Sequence, residues 1–222
     1  MTREVGTGMS WWDSYRAGNR AELMAGAIDL AERGWPVLPG TFWQSDRWTG
    51  IPDAPQPGPV SALTLGTAGA SCDRQTVTDW WSELPYSVLV ATGSVVDVIE
   101  VSALVGRRLC EQLRVCGVAV PVGASAAGRW WFAVSPGEAL RPELASRADV
   151  TLHGRGSWVV APPTGFPEGG VHWRVPPSAA GRTLPDTYDV QVVLLDVLGQ
   201  RPVLAAATAG SGAVGTGMHR WP

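Results

Sequence analysis

Three acids stand on runs that otherwise read as apolar strand: Asp97 and Glu100 in "VVDVIEV" (95–101), and Asp149 in "RADVTLHGRGSWVVAPPTG" (147–165). A carboxylate is costly to bury unless it is paired or holds a cation, so an acid on such a strand is a candidate for metal chemistry. Side chains of an extended chain alternate between faces. Acids two apart therefore share a face, whereas acids three apart, as Asp97 and Glu100 are, point to opposite sides. Only a bulge at Val98-Ile99 would bring both to one ion.

Several other chemistries are excluded by composition. All seventeen cationic residues are arginine, which removes the phosphate-loop lysine and Schiff-base chemistry. Cys72, Cys110 and Cys116 form no CxxC pair and read as small buried hydrophobes, not as a disulfide framework or thiolate zinc site. His153, His172 and His219 lack ligand spacing. The net charge of −3 gives no general basis for nucleic-acid binding. Residues 100–156 nevertheless carry seven arginines against five acids, a local positive excess. With no run of eighteen uncharged apolar residues and no signal-like start, the expectation is a soluble, cytoplasmic chain without membrane contact.

The elements that must position these residues are legible in outline. "NRAELMAGAIDLAERGWPVLPG" predicts a helix with Asn19 as N-cap and Glu22 three residues on, stopped by Gly34 and Pro36 and followed by a strand at Trp35–Leu38. Residues 39–72 predict a long loop, in which Trp43 and Trp48 are candidates for surface contact; the other paired tryptophans read as core filling. Asp73 starts a second helix that Pro85 ends. Strands follow at 87–93 and 95–101, then a helix at 103–117 stopped by Gly117. Two hairpins are expected next, one turning at Ala126-Ala127-Gly128, the other at Gly154-Arg155-Gly156. A short strand at His172–Val175, a helix at 186–200 and a disordered tail at 201–222 complete the pattern. The expected division is an N-terminal extension (1–18), one domain (19–200) and that tail. Helices followed by hairpins predict an α+β fold with a mixed or antiparallel sheet and packed helices. No GxGxxG sits at a strand-to-helix turn, so a dinucleotide fold is disfavoured.

In order along the chain, "LAERGWPVLPG", "DWWSELP", "SVLVATG", "VVDVIEV", "SAAGRWWFAV", "ADVTLHGRGSWVVAPPTG" and "VHWRV" resemble the N-terminal domain of bifunctional DNA primase/polymerases, within the archaeo-eukaryotic primase superfamily. The resemblance covers about residues 23–175 and implies an α+β core with an RRM-like sheet. It also implies template-directed nucleotidyl transfer with two divalent ions, Mg or Mn, which requires about three converging carboxylates. The family's first motif, two acids one residue apart, falls on "VVDVIEVSA". With Glu100 first its partner is Ser102; with Asp97 first its partner is Ile99. In the second motif Arg129 takes the place of a histidine, with Ser125 at the motif's start; an arginine can hold phosphate but carries no proton. Asp149 falls at the third acid. The resemblance thus implies Asp149, Glu100 and Asp97 as catalytic candidates, Asp149 and Glu100 as metal ligands, and Arg129, Ser125, His153 and Arg155 as nucleotide or phosphate contacts.

Three functions are compatible with this reading. The first is a primase/polymerase-like domain whose two-metal site is degenerate, binding nucleotide or nucleic acid with weak or no nucleotidyl transfer. The second is an active primase/polymerase using Mg or Mn. The third is a non-catalytic regulatory or protein-interaction module. The expected partner is a nucleotide or nucleic acid, with a helicase or other replication protein in trans as a further candidate.

Overall fold

The computed structural model describes residues 11–51, 56 and 58–199. The first helix, α1 (Trp11–Glu32), begins eight residues before the expected cap. Asn19 is therefore an interior residue, and the expected boundary at 18 falls inside the helix. Gly34, at φ +82°, follows the helix and turns the chain into β1 (Val37–Gly40).

The stretch expected to be one long loop contains a hairpin, β2 (Phe42–Gln44) and β3 (Arg47–Thr49). Its two turn residues, Ser45 and Asp46, both have positive φ, as a type I′ turn requires. Trp43 and Trp48 pair across it with ring centroids 5.6 Å apart, and Trp48 is buried against Phe166. A 3₁₀ turn (Gly66–Gly69) leads to α2 (Arg74–Glu83), whose cap Asp73 accepts a hydrogen bond from the Thr76 amide at 2.8 Å.

From here the chain alternates between two sheets. β4 (Ser87–Ala91) is the centre of a three-stranded sheet, while β5 (Asp97–Ser102), α3 (Ala103–Val115), β6 (Val122–Ala124) and β7 (Arg129–Val134) build a second. After the short α4 (Pro142–Ala145), β8 (Val150–His153) joins the second sheet and β9 (Trp158–Val160) returns to the first. A small pair, β10 (Gly165–Phe166) and β11 (Gly169–Gly170), precedes β12 (His172–Val175) and the final helix α5 (Thr187–Val197). The sheets have the orders β1-β4-β9 and β12-β6-β7-β5-β8, with every pairing antiparallel. The architecture is α+β, with antiparallel sheets and packed helices.

The hairpin expected around Gly154-Arg155-Gly156 does not form. β8 pairs with β5 and β9 with β4, so these glycines carry the chain from one sheet to the other. The link between β4 and β5 makes the same crossing beside it. Thr92 binds both ends of the neighbouring link, its Oγ1 donating to the Gly154 carbonyl at 2.6 Å and its amide to the Ser157 carbonyl at 3.0 Å. Gly93, at φ +96°, allows the close approach: a Cβ there would lie 2.1 Å from the Arg155 Cα.

Both faces of the five-stranded sheet are covered, which explains why the valines and isoleucine of β5 fall on both of its faces. Val98, Trp131 and Ala133 pack with Leu30 of α1, Trp81 of α2 and Val90 of β4. Ile99, Val101 and Phe132 pack on the other side with Leu109 of α3 and Leu194 of α5. The α3 stripe Gly106, Leu109 and Leu113 faces this second core.

Cys72 and Cys116 are exposed and Cys110 is half-buried, contrary to the expectation of three buried thiols. Among the described residues no helix is long and apolar enough to cross a membrane. The tail at 201–222 lies outside the described residues.

Candidate functional site

β5 carries the site. Its register against β7 and β8 is continuous from Asp97 to Ser102, without a bulge, so strict alternation holds. Glu100 and Ser102 lie on the face of Val98, and these two are the only β5 positions that are not fully buried. Asp97 lies on the face of Ile99 and Val101.

Glu100 sits directly between Trp131 on β7 and Thr151 on β8. Two diagonal neighbours reach it. Arg129, opposite Ser102, donates from Nε to Glu100 Oε1 at 2.6 Å. His153, opposite Val98, brings Nε2 to 3.3 Å from Glu100 Oε2, a close approach without the geometry of a directed hydrogen bond. Long side chains at diagonal positions of adjacent antiparallel strands are within each other's reach. Burial drives the Glu100 carboxyl upward, but the contacts with His153 and Arg129 outweigh it and hold the group below the ordinary carboxylate value.

The flanking turns complete the arrangement. Arg129 also directs Nη1 toward the Asp149 carbonyl at 3.5 Å. The Asp149 carboxylate itself is gripped bidentately by Arg147, both contacts at 2.9 Å, which lowers its pKa. His153 Nδ1 lies 3.2 Å from Ser157 Oγ, across the crossing turn. Ser125 Oγ donates to the Arg129 carbonyl at 3.3 Å, closing the β6–β7 turn. Arg155 is exposed on the turn after β8.

The predicted residues therefore separate into two groups. Glu100, Arg129, Asp149 and His153 come together on one face and its edge, with Ser125 bracing Arg129 and Arg155 beside the crossing. Asp97 does not join them. It is 3 % exposed, accepts from the Gly137 amide through Oδ2 at 3.0 Å, and leaves Oδ1 buried with no hydrogen-bond partner among the described residues. Among the described residues no three His, Cys, Asp or Glu side chains are grouped to hold a metal ion.

Two contributors escaped the sequence reading. Ser157 fixes the His153 ring, and its signal was a hydroxyl four residues beyond the histidine, across a Gly-x-Gly turn. Thr151 lies directly opposite Glu100 on β8, and only the strand register reveals it.

No curated protein matches the chain. A family model described as "Bifunctional DNA primase/polymerase, N-terminal" matches residues 27–187, a span that runs from α1 to the start of α5 and contains both sheets and every member of the Glu100 cluster. That match covers well over half of the sequence and agrees with the ordered motifs and the α+β architecture: the chain belongs to the bifunctional DNA primase/polymerase N-terminal domain family.

Proposed function

We propose that this protein is a primase/polymerase-like domain that binds the phosphates of a nucleotide or nucleic acid at the Glu100 face and carries out nucleotidyl transfer weakly or not at all. One observation supports this reading above the others: Glu100, the central carboxylate of that face, is already closed by Arg129 and His153. Two divalent ions held side by side need about three carboxylates with free lone pairs. Asp97 belongs to the opposite face, and Asp149 has both oxygens on Arg147. The donor set does not fit a pair of metal ions.

Phosphate contact has better support. Arg129 is 32 % exposed and keeps Nη2 without a bond among the described residues, so its planar fork can still meet an anion.

The test is incorporation of labelled deoxynucleotides on a primed template with Mg²⁺ or Mn²⁺, run beside a gel shift with single-stranded DNA and with a labelled nucleotide. Binding with incorporation near background is expected. Robust incorporation that Glu100→Ala or Asp149→Ala abolishes would overturn the degenerate reading in favour of an active enzyme. Absence of binding to every nucleotide and nucleic acid offered would overturn it in favour of a module with other partners.

A further inference from the structure

Both oxygens of Glu100 are already faced by protein nitrogens: Oε1 by Arg129 Nε at 2.6 Å and Oε2 by His153 Nε2 at 3.3 Å. A guanidinium does not deprotonate in a protein, so Arg129 carries its charge at every working pH. It therefore stands permanently where a carboxylate would otherwise recruit a metal ion. Nearby, Arg147 offsets Asp149, and Arg155 is exposed on the turn that follows β8 with no described ion-pair partner. Each of the two carboxylates thus already has its own arginine before any ion binds. A divalent ion approaching Glu100 must displace Arg129, and one approaching Asp149 must displace Arg147.

We infer that this face takes its phosphate-bearing ligand without a divalent metal, with Arg129 as the resident cation and Glu100 as the group that orients it. The inference rests on the phosphate-binding reading above and adds the identity of the charge that does the binding. Nε and Nη1 are committed to Glu100 Oε1 and the Asp149 carbonyl, which fixes the guanidinium plane. Nη2 is left for the ligand. Glu100 is here a positioning residue: neutralising it while keeping its Oε1 acceptor for Arg129 has a sign opposite to that of neutralising a metal ligand.

The test measures binding of inorganic triphosphate by calorimetry and of fluorescein-labelled oligothymidylate by anisotropy, each in EDTA and in Mg²⁺, on the full chain. The two probes distinguish a free polyphosphate from a nucleic-acid backbone as the source of the phosphate. Binding is expected to be as tight in EDTA as in Mg²⁺, or tighter. Arg129→Ala should weaken it about tenfold, the size of one charge-assisted contact, and Arg129→Lys should weaken it less. Glu100→Gln should tighten it severalfold in EDTA, because a carboxylate beside the ligand is gone while the shape remains. Mn²⁺ spectroscopy should find no immobilised ion in the wild-type protein.

Tightening of more than about threefold on adding Mg²⁺, weaker binding by Glu100→Gln, or a bound Mn²⁺ signal lost in that variant would each overturn the inference. A metal requirement would sink this inference alone, leaving the phosphate-binding reading intact. Failure of both probes in both buffers would sink that reading and this one together. If Arg129→Ala does not fold, the near-isosteric Glu100→Gln and the charge-retaining Arg129→Lys still decide the question.

Discussion

Asp97 and Glu100 occupy one unbroken strand, three residues apart, and emerge on opposite faces of the five-stranded sheet. The first is sealed beneath the Ser135–Gly137 turn and the second opens beside Arg129 and His153. Two acids that look like a pair in sequence therefore belong to different parts of the molecule.

Asp97 should accordingly behave as a structural residue. Asp97→Ala removes the acceptor for the Gly137 amide at a site that is 3 % exposed, and a loss of about 1–3 kcal/mol is expected. A urea midpoint shift should report it, while ligand affinity of the folded fraction stays at the wild-type level. A large affinity loss with an unchanged midpoint would return Asp97 to the site.

Acid should loosen the Glu100 cluster. The folded-state carboxyl lies below its unfolded value, about 4.3 for glutamate, so its contribution to stability is present above that value and lost as pH falls through the folded-state one. Thermal melts between pH 6 and pH 3 should therefore fall more steeply in the wild type than in Glu100→Gln. Parallel curves for the two proteins would contradict this.

The Arg147–Asp149 pair is well formed but partly exposed, with side chains 30 % and 37 % accessible. Solvent-screened pairs of this kind contribute little to stability. Arg147→Ala should leave the melting temperature nearly unchanged at moderate salt, and added salt should shrink the difference further.

Gly93→Ala should be among the most damaging single changes. The new methyl would meet the Arg155 backbone at 2.1 Å while the residue is held at φ +96°. A cost on the order of 3 kcal/mol is expected, visible as a lowered denaturation midpoint or as insoluble expression. Wild-type stability in this variant would mean that the two crossing links are not in contact.

Much of the fold was legible because local signals and tertiary structure agreed. The apolar stripe of α3, the Asp73 cap of α2 and the β6–β7 hairpin at Gly128 each follow from patterns a few residues long. The crossing at 154–156 was misread because two apolar runs around a Gly-x-Gly turn look the same whether they pair with each other or with different sheets. The β2–β3 hairpin hid behind a Ser-Asp turn, since positive φ at both residues is normally announced by Asn or Gly. At the site, parity alone separated Asp97 from Glu100. The contacts of Glu100 with Arg129 and His153 depend on diagonal register between three strands, which no stretch of sequence reveals by itself.

The paired crossings have a mechanical meaning. Thr92 and Gly93 tie the end of β8, immediately beyond His153, to the neighbouring sheet through two hydrogen bonds and a backbone contact. A rigid-body swing of one sheet against the other cannot pivot freely there without dragging the histidine off its glutamate. Adjustment to a bulky guest would come more cheaply from the opposite rim, where the Arg129 and Arg147 side chains are about one-third exposed and can swing without moving the backbone.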